Sequence, residues 1–300
     1  MPDGYAWWYL DALSNDGAHG LTIIAFIGSV FSPYYARARR QAGATGADPL
    51  NHCAVNVALY GRGSRWAMTE RGRGQVRRDA HSLRIGPSAL RWVGDSLQID
   101  LDEVAVPWPA RIRGQVTVHA PQRFAQAVEL APGHRWCAIA PRAQVDVDLG
   151  GLRWSGPGYL DSNTGDAPLE RAFRRWDWSR APLAGGDSVV FYDLDRVAAA
   201  PLQLGLRFGA NGHVDTIEPP AGAALTRTRW GIARGARADA GTAPRVLRTL
   251  TDAPFYARSL LDAQWLGERV GVMHESLSLS RFDTKWVQAM LPFRMPRRAG

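Results

Sequence analysis

Apolar and polar residues alternate one for one along several stretches of the chain. In Ser96–Val104, SLQIDLDEV, the residues Leu97, Ile99 and Leu101 interleave with Gln98, Asp100 and Asp102. In Arg111–His119, RIRGQVTVH, Ile112, Val116 and Val118 interleave with Arg111, Arg113, Gln115 and Thr117. QVDVDL (Gln144–Leu149) and LQLGLRF (Leu202–Phe208) repeat the pattern. A period of two puts successive side chains on opposite faces of a strand, so these segments predict half-buried β-strands. Gly-Arg-Gly, Gly-Asp-Ser, Ala-Pro-Gly-His and Ala-Asn-Gly-His recur between them and supply the residues that turns need. Few windows hold a helical period before the end of the chain, so meandering antiparallel sheets or barrels are expected.

A break at Leu149-Gly150-Gly151 divides the 300 residues into halves of similar length. Tyr9-Leu10-Asp11 lies near the start of the first half and Tyr159-Leu160-Asp161 near the start of the second. The expectation is two related β-barrel domains, 1–149 and 150–300. Asp11, followed by the turn-like Ser14-Asn15-Asp16-Gly17, is expected to cap the end of a hairpin strand. One segment has a different period. FDTKWVQAMLPFRM, Phe282 to Met295, puts Trp286, Met290 and Leu291 plus Phe293 toward a common side of a short helix, with Lys285, Arg294, Arg297 and Arg298 flanking it. Two readings follow: a helix packed on a barrel, or an interfacial element with its aromatics at headgroup depth and its arginines against anionic lipid.

Composition narrows the class. With 46% hydrophobic and 21% charged residues, the chain is globular. The longest apolar run, Leu21 to Phe31, is about half the ~20 residues that span a bilayer, so no transmembrane helix is predicted. MPDGYAWW has no secretory pattern, and Cys53 and Cys137 form no spaced motif, which together predict a cytoplasmic protein with isolated thiols. The net charge of +8 permits an acidic partner. Its arginines are scattered, however, over Arg37–Arg40, Arg71–Arg78 and Arg294–Arg298, with no nucleic-acid module, so no nucleic-acid partner is expected.

Several chemistries drop out. Lys285 is the only lysine and belongs to no phosphate-binding loop; there is no dinucleotide fingerprint and no nucleophile elbow. The seven histidines show no paired metal spacing, so no metal and no cofactor are expected. Asp146/Asp148 and Asp193/Asp195 read as ordinary solvated strand positions. The aromatics remain. Trp7 and Trp8 sit at the first Tyr-Leu-Asp and must face opposite ways on a strand; Trp136, Trp154, Trp176 and Trp178 surround the second. His134, Tyr159, Asp161, Asn163 and Asp166 interleave with that second group. Tyr159 and Asp161 are two apart, as are His134 and Trp136, so each pair shares a strand face.

GYAWWYLDALSNDG, LTIIAFIGSVFSPYYARAR, NHCAVNVALYG, RWAMTERG, PSALRW and GPGYLDSNTGDAPLERAFRRWDWSRA together resemble the carotenoid 1,2-hydratases, also called hydroxyneurosporene synthases, over most of the chain. The resemblance implies an all-β fold of two lipocalin-like antiparallel barrels in tandem, here with a short C-terminal helix. It also implies addition of water, without a cofactor, across the terminal C1–C2 double bond of an acyclic carotenoid such as neurosporene or lycopene.

That reaction needs a proton at C2 and water at the tertiary cation left on C1. A free aspartate, near pKa ~3.9, would hold its proton in about one molecule in a thousand at pH 7, so the acid must be desolvated. The resemblance assigns Asp161 as the acid and His134, Trp136 and Tyr159 as its supporting set. Trp136 would face the cation, and His134 or Tyr159 would orient water or return the proton. Trp8, Trp154, Trp176 and Trp178 are the expected substrate-binding aromatics. A carotenoid resides in lipid, so peripheral association with the inner membrane is expected. Two other classes stay open: a non-catalytic carrier of lipid or carotenoid on the same fold, and a relative running another reaction on a polyene or polyketide.

Overall fold

In a computed structural model of the chain, which describes residues 1–298, β-strands dominate and the helices are short. The chain forms two compact units, residues 1–168 with the segment from Gln288 on, and residues 169–287.

The first unit carries β1 (Tyr5–Leu13), β2 (Gly20–Ile27), helix α1 (Pro33–Ala42), β3 (Cys53–Tyr60) and β4 (Arg65–Arg71). Then come β5 (Val76–Arg78), β6 (Ser82–Ile85), β7 (Ser88–Val93), β8 (Ser96–Val104) and β9 (Arg111–His119). β10 (Val128–Ala131), β11 (His134–Leu149) and β12 (Leu152–Gly165) complete it, except for a two-residue strand near the C-terminus. β8 and β9 match the two alternating segments residue for residue. The strands pair along the path β4-β3-β2-β1-β12-β11-β9-β8-β7-β6-β5. Among the described strands this path does not close on itself by hydrogen bonds. It does curl: Arg71 on β4 donates to Glu103 on β8 at 3.2 Å, and the Val106 amide donates to the Trp66 carbonyl at 2.9 Å. One apolar cluster, including Leu10, Ile23, Val55, Ile99, Val116 and Leu160, fills the side so enclosed. The segment LTIIAFI is β2 and spans no membrane as a helix; no helix among the described residues is long and apolar enough to do so.

The second unit contains α2 (Leu169–Ala172), β13 (Phe173–Pro182), β14 (Ser188–Arg196), β15 (Leu202–Phe208), β16 (Val214–Thr216), β17 (Gly222–Leu225) and β18 (Arg234–Arg237). It continues with β19 (Arg245–Asp252), β20 (Tyr256–Trp265), β21 (Glu268–Ser278) and α3 (Leu279–Phe282). Seven strands pair in the order β16-β15-β14-β13-β21-β20-β19, and β17 pairs with β18 alone. Phe191, Trp265, Leu261 and Val272 form its apolar centre.

Two sequence expectations change here. Gly150-Gly151 is the tight turn of the β11–β12 hairpin, inside the first unit, so the division falls at Pro168 and not between residues 149 and 150. Both copies of Tyr-Leu-Asp also belong to the first unit, on neighbouring strands. They therefore do not mark the starts of two repeated halves.

The segment from Phe282 is broken into α3, α4 (Lys285–Met290) and a single 3-10 turn, Leu291–Phe293. Val287 and Leu291 point inward, while Trp286, Met290 and Phe293 are exposed, Phe293 by 82%. Leu291 thus leaves the common side expected for it. Beyond the turn, β22 (Arg297–Arg298) pairs in parallel with β4, and both Arg297 and His52 bond the buried Glu70 carboxylate.

Candidate active site

β1, β12 and β11 lie side by side, and their register gathers one set of side chains on one face. Tyr9 pairs with Asp161, Leu10 with Leu160 and Asp11 with Tyr159. The two Tyr-Leu-Asp copies are thus antiparallel partners. Their leucines enter the apolar cluster, and by the period of two their tyrosines and aspartates occupy the opposite face. Tyr5 and Trp7 share that face of β1, and His134 and Trp136 occupy the corresponding positions on β11.

Asp161 is buried, and one carboxylate oxygen, Oδ2, collects two hydrogen bonds. The Trp136 indole N–H donates to it at 2.8 Å and the Tyr159 hydroxyl at 2.9 Å. Tyr9 meets Tyr159 edge to face, with ring centroids 6.2 Å apart. His134 lies further along, hydrogen-bonded through Nδ1 to the Tyr5 hydroxyl at 2.8 Å. Tyr5 must cross β12 to make that bond, and the residue beneath it is Gly165, where a Cβ would overlap the Tyr5 ring. Trp7 stacks on Tyr5 at 4.9 Å. Burial pushes the His134 imidazole below its usual value, against the opposing pull of the Asp166 carboxylate, so the ring is neutral at pH 7. Tyr5 also borders a cavity of about 590 Å³ with a mixed lining, in which Ala6, Ile27 and Leu50 meet the charged Asp48, Arg73, Arg78 and Asp166.

Of the residues singled out in the sequence, Asp161, Trp136 and Tyr159 are brought into direct contact, and His134 joins the same face. Trp8 and Trp154 pack against the apolar cluster on the opposite side. Trp176 and Trp178 are buried on β13 of the second unit, where Trp176 contacts Phe173 and Tyr192 edge to face. Sequence reasoning missed Tyr5, Tyr9 and Asp11. Carrying the strand parity back from Asp11 through Tyr9 and Trp7 to Tyr5 was the signal for them. Asp11 does not end a strand: it sits within β1, fully buried, while Asp16 serves the turn by accepting from the Ala18 amide at 3.0 Å.

The second unit holds another buried polar group, which no sequence motif marks. Asp177 accepts from the Ser276 hydroxyl and from the Gly235 amide, and pairs with Arg175 at 3.1 Å. Burial raises its carboxyl to about 6 despite these partners. His274 Nε2 lies 3.1 Å from Ser276 Oγ; complete burial, helped by Arg234, drives that ring down to about 3.

Known proteins share both sequence and fold with this chain. A family model described as carotenoid hydratase CrtC matches residues 23–300. An acyclic carotenoid 1,2-hydratase of Thiocapsa roseopersicina is 53% identical, covering 100% of this chain and 74% of its own. One of Rubrivivax gelatinosus is 49% identical, covering 99% and 74%, and one of Cereibacter sphaeroides is 40% identical, covering 93% and 99%. Among solved structures, an AttH candidate from Nitrosomonas europaea superposes with a TM-score of 0.64 at 13% identity, covering 92% of each chain, and so shares the fold. With the family model spanning most of its length and a relative 53% identical across the whole of this chain, the chain belongs to the carotenoid hydratase family.

Proposed function

We propose that the protein hydrates an acyclic carotenoid of the neurosporene or lycopene type at its terminal C1–C2 double bond, with Asp161 as the acid. Membership of the family makes it a hydro-lyase. The observation that carries the mechanism is the pair of donors on a single oxygen of a buried aspartate. With Oδ2 engaged by Trp136 and Tyr159, the acidic proton is carried on Oδ1. As it passes to C2, charge develops on the carboxylate, and the two hydrogen bonds strengthen as the transition state forms. The indole of Trp136, tethered beside the acid, faces the tertiary cation at C1, a contact worth roughly 2 kcal/mol when desolvated. Neutral His134, fixed by Tyr5, is a hydrogen-bonding group for water on the same face. Proton and water suffice for this chemistry, and no cofactor enters it.

The exposure of Trp286, Met290 and Phe293 supports the interfacial reading of the C-terminal segment, whose sequence also carries Lys285 and Arg294 for contact with anionic membranes. The curl of the first sheet supports a lipocalin-like barrel there, and the finer architecture of two such barrels belongs to the same proposal.

The test is Asp161→Asn, which keeps size and loses the acid. Hydration of lycopene in liposomes, followed by chromatography and mass measurement, falls by ~10²–10⁴-fold while the circular dichroism spectrum is unchanged. In heavy water the parent enzyme places one carbon-bound deuterium in the product per hydrated end. Near-normal turnover of Asp161→Asn, or a product without the label, removes the mechanism. A non-catalytic carrier would yield no hydrated product at all.

A further inference from the structure

Hydration requires two proton transfers. One proton goes to C2, and a second must leave the water that bonds to C1. The site described so far accounts for the first. On the same face, at the diagonal corner from Asp161, lies a second fully buried carboxyl, Asp11. The two aspartates and the two tyrosines form a checkerboard: Tyr9 faces Asp161 and Asp11 faces Tyr159. On its other side Asp11 pairs with Thr22 of β2, also fully buried, whose hydroxyl accepts from Tyr60 at 3.3 Å. Diagonal neighbours on antiparallel strands have their backbones about 7–8 Å apart, a spacing from which short side chains can hold two carboxyls a water's width from each other. Carboxyl pairs that activate water across a reacting carbon in inverting glycosidases are separated by a similar ~6.5–9.5 Å. A buried carboxyl is expensive to keep on a sheet face, and this one shares that face with Asp161.

We propose that Asp11 is a second catalytic carboxylate, the base that takes the proton from water as it adds to C1; this rests on the assignment of Asp161 as acid. The Asp161 O–H bond breaks and the C2–H bond forms, leaving the cation on C1. A water lone pair forms the C1–O bond. One water O–H bond then breaks, its electron pair staying on oxygen and its proton passing to the Asp11 carboxylate. Proton exchange afterwards returns Asp161 to acid and Asp11 to base.

The experiment compares the parent, Asp11→Asn and Asp161→Asn with lycopene liposomes in heavy water, measuring hydrated product and deuterium in the recovered carotenoid. In Asp11→Asn hydration falls by ~10²–10⁴-fold. Deuterium nevertheless accumulates in the unhydrated carotenoid, because the cation still forms and collapses by losing a proton. Asp161→Asn does neither. Folded Asp11→Asn that hydrates within about threefold of the parent, or that loses hydration and exchange together, overturns the proposal. If Asp11→Asn does not fold, Asp11→Glu and Asp11→Gln are compared. The glutamate must exceed the glutamine in hydration by at least ~10-fold, and equality overturns the assignment. A parent enzyme that hydrates without labelling C2 overturns the Asp161 reading instead, and so separates the two failures.

Discussion

Replacing Tyr159 by phenylalanine tests the hydrogen-bonded acid most cleanly. The ring is fully buried and packs edge to face on Tyr9, so Tyr159→Phe keeps the packing and deletes one atom, the hydroxyl that donates to Asp161 Oδ2 at 2.9 Å. A hydrogen bond to a charged group contributes about 1.5–3 kcal/mol. Its loss falls on the carboxylate form and spares the protonated one, so the acid keeps its proton to higher pH. At 1.36 kcal/mol per pH unit, the basic limb of the pH–rate profile moves up by about one to two units. The same loss weakens the acid as a proton donor. With about half of the charge developed in the transition state, the plateau rate falls by roughly 4- to 12-fold. The assay is the initial rate of hydrated-carotenoid formation from saturating lycopene in liposomes between pH 5 and 10. A basic limb that stays in place or moves down refutes the reasoning, because Tyr159 would then not be holding the carboxylate that delivers the proton.

The remaining expectations concern the second unit and the membrane. Burial raises the Asp177 carboxyl from the ordinary 3.8 to about 6, so the folded state binds this proton more tightly than the unfolded chain does. The resulting stability, up to about 3 kcal/mol, is fully present below about pH 4 and lost as pH rises through 6. Asp177→Asn flattens that part of the stability curve in urea titrations at pH 4, 5, 6 and 7, and an unchanged slope assigns it to other groups. Removing the exposed side chains of Trp286 and Phe293 together lowers the affinity for anionic liposomes by at least ~100-fold, at about 1.5–3 kcal/mol for each buried aromatic. Unchanged co-sedimentation leaves only the packing reading of that segment.

How much of this could be read from the sequence depended on how each strand is buried. β8, β9 and β15 are covered on one face, so their parity is written in the residues and their bounds match the alternating segments. β3 is buried at all eight positions and β2 at seven of eight, and such strands show only a continuous apolar run. The spacing of Tyr159 and Asp161, and of His134 and Trp136, correctly predicts shared faces, because that is a local property of each strand. The pairing of β1 with β12 joins residues about 150 positions apart and leaves no local mark. Gly150-Gly151 reads as a break between halves because hairpin turns and domain boundaries both use glycine. Asp11 reads as a cap because the turn-like Ser14-Asn15-Asp16-Gly17 follows it, and only the pairing shows that the strand runs past it.

The antiparallel match of the two Tyr-Leu-Asp segments also ties correct folding to competence. A slip of one residue between β1 and β12 would turn every side chain of the slipped strand over. Leu10 or Leu160 would leave the apolar cluster, and an aspartate and a tyrosine would be driven into it. The aliphatic interior therefore proofreads the alignment of the acid without touching it. A misaligned chain would lose its apolar interior together with the partners of the acid, so the fraction able to protonate a substrate should track the fraction that has folded.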